Sequence, residues 1–371
     1  MNRIGRFLIG SSLLMVLIAM ITPSAESAPP PSVSPTAALL VTGLQGATGS
    51  TVGPDGALYV TEGAAGRISR VDPQTGELTT FASGLPKALP AVGIGGAIDV
   101  AFIGKTAYVL VTLVDHDVGG SDIDGIYRVD GPDSFTIVAD IGDFNINNPP
   151  TIPFPFFIPT GVQYALQTFR GGFLVTDGHL NRVLRVTLDG EGQRCSVEHQ
   201  QIPAERHPVA QRDDEEIECR HGEISVLIAF DDIVPTGLAV SGNTIYMAEA
   251  GPVPHLAQNG KVVAFGPKST TATEVASGAP LLVDVEFGRG RSLYALSQGP
   301  GVPGAPPGSP AQPNSGALVK VNGDGTLTII TDHLNLPTSL EFIGTTAYVV
   351  TLTGEVWKIE GVSEPPYGVS H

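Results

Sequence analysis

Positive charge is scarce in this chain. Lys and Arg number 20 against 37 Asp and Glu, a formal net charge of −17, and that balance repels phosphate backbones and anionic membranes, which argues against nucleic acid as a partner. Long apolar runs are scarcer: the one that stands out, Phe7 to Ile21, spans 15 residues, short of the ~20 that cross a bilayer. Few segments carry the period of a long amphipathic helix. No G-x-S-x-G, H-E-x-x-H, P-loop or G-x-G-x-x-G after a strand occurs, and "GIGGA" at Gly93 to Ala97 is too short to cradle a phosphate. Cysteine appears twice, and neither copy stands directly after the apolar run, so no lipid-bearing N-terminal cysteine is expected.

The start of the chain has the layout of a secretory signal. Arg3 and Arg6 precede the apolar run, and Ala25-Glu26-Ser27 supplies small residues for cleavage before Ala28. Residues 1–27 are expected to be a signal peptide, with an uncleaved anchor as the alternative, and the mature chain to be secreted or periplasmic. Residues 28–37, "APPPSVSPTA", form an extended Pro-rich leader. No transmembrane helix is expected after it.

Glycine and proline are plentiful, at 46 and 31, as a fold with many turns requires. The phrase "PTGLAVSGNTIYMAEAG" (Pro235 to Gly251) returns in variant form as "ATGSTVGPDGALYVTE", "AIDVAFIGKTAYVLV", "PTGVQYALQTFRGGFLVTD", "LVDVEFGRGRSLYALS" and "PTSLEFIGTTAYVVT", at spacings of 47 to 76 residues. Each copy reads as a hairpin and continues into a third strand such as "GRISRVD" or "GEVWKI". Five continue into a fourth such as "LTTFASG". Such self-similarity predicts an all-β, six-bladed β-propeller over residues 38–362 as a single domain. The sixth unit lacks its fourth strand, and "ALLVTGL" (Ala38 to Leu44) lacks the three before it. The N-terminal strand is therefore expected to complete the last blade, leaving 363–371 as a tail.

Loops between second and third strands, and the crossings between blades, share one end of such a ring, and the longest loops in this chain fall there: 114–124, 145–159, 251–259 and 299–315. In the innermost strands Val100, Phe102, Leu238, Val285 and Leu340 alternate with Gly49, Asp99, Gly161, Gly237, Asp284, Glu286, Ser339 and Glu341. The second set is expected to face the central channel. Asp99, Asp284, Glu286 and Glu341 could together hold Ca²⁺ or another divalent cation, or simply line a wet channel and bond neighbouring blades. Where second strands end, Glu62, Asp177 and Glu249 are candidates, with His179, Asn181, His255, His116 and Asp122 nearby. Carboxylate and imidazole together suit acid-base chemistry (His179, His255, Asp177, Glu249) or ligand binding (Glu62, His116, Asp122, Asn181). The alternative is that the carboxylates accept backbone N–H bonds in their turns. The insertion 189–223 in blade 3 carries Cys195 and Cys219, which read as a disulfide in an exported protein, or as part of a zinc site.

Five long phrases, "DVGGSDIDGIYRVDGPDSF", "FFIPTGVQYAL", "GGFLVTDGHLNRVLRVTLDG", "PTGLAVSGNTIYMAEAGPVPH" and "LPTSLEFIGTTAYVVTLTGEVWKI", resemble the ScyD/ScyE family of exported bacterial propeller proteins. The resemblance implies a propeller and export, and no reaction. "GPDGALYVTE" is also similar to repeats of NHL-type propellers and SMP-30-type lactonases, whose metal-binding asparagines have no counterpart that can be placed here. Function is expected to be the binding of a small molecule, a glycan or an envelope protein at the mouth. A metal-dependent hydrolase, lactonase or lyase working in the acidic channel is the alternative.

Overall fold

The computed structural model describes residues 35–150, 158–188, 222–306 and 308–365. The expected signal peptide, residues 151–157 of the 145–159 loop and the Cys195/Cys219 pair lie outside them. Six four-stranded antiparallel sheets form the ring. In chain order their first strands are Ala47–Val52, Gly96–Ile103, Gln163–Phe169, Pro235–Ser241, Leu282–Phe287 and Pro337–Ile343, and these open blades 1 to 6. The sixth sheet is completed by Ala37–Val41, paired antiparallel with Val356–Ile359 through Ala37↔Ile359, Ala38↔Lys358 and Leu39↔Trp357. The ring closes as the repeat requires, and closure covers two sheet edges. Among the described residues no helix is long and apolar enough to cross a membrane. One short helix, Ile141–Asn147, follows blade 2, where the sequence suggests loop from Asn145 onward.

The recurring phrase encodes blade-to-blade packing. Each of six apolar clusters joins two adjacent blades, so no blade has a core of its own. A tyrosine of the second strand meets a ring of the next blade: Tyr59 on Phe102 with centroids 4.8 Å apart, Tyr108 on Phe173 at 4.9 Å, Tyr246 on Phe287 at 5.3 Å and Tyr294 on Phe342 at 4.9 Å. These distances suit tilted and edge-to-face rings. Tyr348 spans the closing seam, and its hydroxyl donates to the Pro73 carbonyl at 3.0 Å.

Every first strand carries a bulge near its start. The register to the second strand shifts between Ala47 and Ser50, Ala97 and Asp99, Gln163 and Leu166, Pro235 and Leu238, Leu282 and Asp284, and Pro337 and Ser339. In blade 3 this register makes Ala165 the counterpart of Asp99 and Asp284. Gly161, the counterpart that the sequence suggests, instead lies before the strand with φ 81°, because the repeated "PTG" ends before Gln163, where this strand begins, whereas in blade 4 it lies inside the strand.

Candidate functional site

The bulges converge on the channel mouth. A bulge re-aims side chains that a regular strand would send into the sheet. Here the displaced residues Thr48, Gly49, Ile98, Tyr164, Ala165, Thr236, Gly237, Val283 and Thr338 all line one chamber of about 180 Å³. Its upper wall comes from residues flanking the strands, among them Ile94, Val234, Leu281 and Leu352, and from His255 and the 308–310 segment. Among the described residues no lysine or arginine lines it.

In four of the six blades the residue entering the inner strand repeats one feature, with a change between blade 1 and blades 4 to 6. Gly46, Val234, Leu281 and Leu336 all have positive φ, at 63°, 53°, 45° and 51°. Each carbonyl accepts an N–H from just beyond the second strand: Gly63, Ala250, Gln298 and Leu352. Glycine takes that conformation freely, whereas a β-branched valine is strained by it. Blades 4 to 6 thus hold large apolar residues where blade 1 uses glycine, and Val234 and Leu281 form chamber wall.

Asp99 and Asp284 form the waist below the chamber and clamp the ring. Asp99 accepts from Val100 N at 2.8 Å and, across the seam, from Leu166 N of blade 3 at 2.7 Å. Asp284 repeats this with Val285 N at 2.8 Å and Leu340 N of blade 6 at 2.7 Å. The glycines before them are explained by contact, since a Cβ at Gly49 or Gly237 would fall on the Asp99 or Asp284 carboxylate. Between blades 6 and 1, Ser339 and Ser50 hydroxyls meet at 2.8 Å.

Beneath the waist lies a polar cavity of about 220 Å³ that includes Thr51, Gln167, Glu286 and Glu341. The sequence places these acids on the channel, and there they are. Burial pushes Asp284 up to about 7 and Glu286 up to about 8. Asp99 is held well above the usual carboxylate range by burial, and Glu341 by burial and then by repulsion from Glu286, Asp284 and Asp99. Among the described residues no three His, Cys, Asp or Glu side chains are grouped so as to hold a metal ion.

Most of the other sequence candidates serve the walls. Glu62 takes both Arg67 nitrogens (2.7 and 2.8 Å), the Ser69 hydroxyl (2.5 Å) and Gln45 N (2.7 Å), and Arg67 leads the pairings that offset burial to keep its carboxyl below the usual range. Asp177 accepts from Val162 N, Leu180 N, Asn145 Nδ2 and Gln163 Nε2. Asn181 accepts from Ile233 N and Val234 N at 2.9 and 2.8 Å, tying blade 3 to the crossing. His179 is half-buried beside Asp177, and burial lowers it. His116 and Asp122 stay exposed on the blade 2 loop. His255 alone of these candidates reaches the chamber.

Glu249 is the exception among the carboxylates. It opposes Lys261 as Glu62 opposes Arg67, yet Lys261 Nζ bonds Glu274 at 2.7 Å instead, and Val263 stands where blade 1 has Ser69. With 5% of its surface exposed, Glu249 is pushed up to about 7 by burial, with Glu274 adding to the rise. Glu249→Gln is expected to raise the unfolding free energy at pH 8 by about 2 kcal/mol and to change little at pH 5, which urea titrations at the two pH values would check.

No protein-family model matches the chain, and no curated protein sequence matches it. The ScyD/ScyE resemblance therefore assigns no family. Solved structures share the fold. The PQQ-bound aldose sugar dehydrogenase of Streptomyces coelicolor matches with TM-score 0.55 at 13% identity, over 90% of this chain and 99% of that one. The gluconolactonase XC5397 of Xanthomonas campestris matches with TM-score 0.51 at 11% identity, over 87% and 89%. Virginiamycin B lyase of Staphylococcus aureus matches with TM-score 0.48 at 14% identity, over 88% and 98%. At these identities the shared property is the propeller.

Proposed function

We propose that this protein is an exported binding propeller whose mouth chamber holds a small, uncharged, largely apolar molecule. The carrying observation is the convergence of all six first-strand bulges on that chamber, with strained Val234 and Leu281 in its wall. Strain and bulges concentrate where a fold shapes a site. An anionic ligand would meet no cation among the described residues and would approach two buried carboxyls, whereas an apolar one exchanges water for Ile94, Ile98, Val283, Leu281 and Leu352. Glycans and envelope proteins are the other occupants to screen.

The catalytic alternative draws on Glu286 and Glu341, whose channel position suits acid chemistry. It would require Asp99 and Asp284 to release the blade N–H groups they hold before either could serve a metal. Elemental analysis of exhaustively dialysed protein tests it, and one ion per chain, lost in Asp99→Asn/Asp284→Asn, would favour it over the binding reading.

Val283→Arg places a long charged side chain from a bulge into the chamber. In a ligand-observed NMR screen of uncharged molecules of up to about 15 heavy atoms, wild type is expected to give saturable hits with Kd of about 0.1–1 mM, and the variant to lose them. Hits that survive Val283→Arg, or a screen without hits, would remove the proposal.

A further inference from the structure

We infer that His255 is the specificity group of the chamber, and that the ligand class is a one- or two-ring aromatic bearing a hydroxyl or N–H donor. This rests on the binding reading above and adds the chemistry of the occupant. The loop after blade 4's second strand turns back on itself at Gly251 (φ 76°), and His255 N donates to the Pro252 carbonyl at 2.7 Å. His255 Nδ1 lies 2.7 Å from the Gly251 carbonyl oxygen. A carbonyl can only accept, so Nδ1 carries the proton, and in the neutral ring Nε2 is then an acceptor. It has no hydrogen-bond partner among the described residues. The tautomer is thus set by the backbone of its own loop.

The other polar groups around the chamber narrow the choice. Gln298 donates to the Pro337 carbonyl at 3.3 Å and accepts from Ala311 N at 3.0 Å. Thr236 donates to Leu282 and Ala248 carbonyls, and Thr338 to Val350. The Thr48 hydroxyl bonds Thr61 Oγ1 and the Ala97 carbonyl at 3.2 and 3.4 Å, and the Tyr164 and Ser309 hydroxyls can each donate, so His255 Nε2 is the one side-chain atom above the waist, among the described residues, that only accepts and is not already engaged. Size follows from volume. A closed apolar cavity of about 150 Å³ takes benzene, so about 180 Å³ suits phenol, a cresol or indole, and a sugar ring with its many hydroxyls would leave most of them facing Ile94, Ile98, Leu281 and Val283 without partners.

Phenol, anisole, toluene and benzoate are the probes, titrated by calorimetry and NMR against the folded full mature chain. Phenol is expected to bind about tenfold more tightly than toluene or anisole, and benzoate more weakly than all three. His255→Phe should abolish the phenol preference, so that phenol and toluene bind equally in that variant. Equal affinities in the wild type, or a phenol preference that survives His255→Phe, would overturn the assignment to His255 while leaving the binding site standing. Failure of all four probes, or binding insensitive to Val283→Arg, would instead overturn the site. If His255→Phe does not fold, the ¹⁵N shift of Nε2 in labelled wild type decides: movement with phenol and none with toluene supports the inference, and no movement with phenol overturns it.

Discussion

Removal of residues 38–44 is expected to cost the ring its cooperative fold, a loss on the order of 5 kcal/mol or more. The strand Ala37–Val41 is the outer strand of blade 6, but its side chains reach further. Val41 and Leu44, each 5% exposed, share a cluster with Leu58, Val60 and Val71 of blade 1 and with Tyr348, Val350 and Val356 of blade 6. Leu44 N also donates to the Gly354 carbonyl at 3.1 Å. Losing one large buried apolar side chain costs roughly 2–5 kcal/mol, and the deletion removes two, together with the ladder to Val356–Ile359. Against a total stability of about 5–15 kcal/mol, little is left. Calorimetry should show no single transition near the wild-type midpoint, and a synthetic peptide of residues 35–46 should restore part of it. A deletion variant that melts as the wild type does would mean that the last blade stands on three strands.

How much of this is legible in the sequence depends on what repeats. The hairpin phrase repeats because each blade must pack its second strand against the next, through a tyrosine in every blade but the third, so ring, blade number and closing strand can be read from it. The channel acids are legible for the same reason, since alternation holds below the waist. The chamber is not, because it is built where alternation fails. A bulge puts Ile98 or Val283 beside an aspartate that faces the channel too, and a period-two reading assigns such a residue to the core. The mistaken Gly161 alignment has the same origin. One signal is there: "IVPTGL", "PLLVDV" and "NLPTSL" place a bulky apolar residue where "QGATGS" has glycine, and that substitution marks where blades 4 to 6 depart from blade 1. Glu62, Asp177 and Asn181 show the converse. Their residue types suggest chemistry, while their partners, set by distant crossings such as Ile233–Val234 and by Gln45, make them structural.

Stability is expected to fall as pH rises from about 5 to about 8, against the habit of proteins whose carboxylates are paired. Asp99, Asp284, Glu286 and Glu341 all titrate above their unfolded values in the ring. A carboxyl whose pKa is raised by folding binds its proton more tightly in the native state. Between the unfolded and folded pKa values the native state holds more protons, and stability drops with each increment of pH. Below about pH 4 both states are protonated and the full contribution is present; above the folded values, about 7 for Asp284 and about 8 for Glu286, it is gone. Glu249, also raised to about 7, adds in the same direction. Glu62, held below the usual range, acts oppositely at the acid end, so the maximum should lie near about pH 5. Each tenfold tightening of proton binding in the native state is worth about 1.4 kcal/mol; allowing for water in the channel, the four carboxyls together contribute on the order of 5 kcal/mol across the window. Urea midpoints at half-unit steps from about pH 5 to about pH 8.5 measure it, and Glu286→Gln/Glu341→Gln should flatten much of the slope. A midpoint that holds constant would show that the four carboxyls ionise freely, and a slope the double variant keeps in full would show that Glu286 and Glu341 do not carry it. The direction matters for the chamber above: Asp99 and Asp284 floor it, so their ionisation sets charge beneath an uncharged, largely apolar ligand, and its affinity should weaken over the same window.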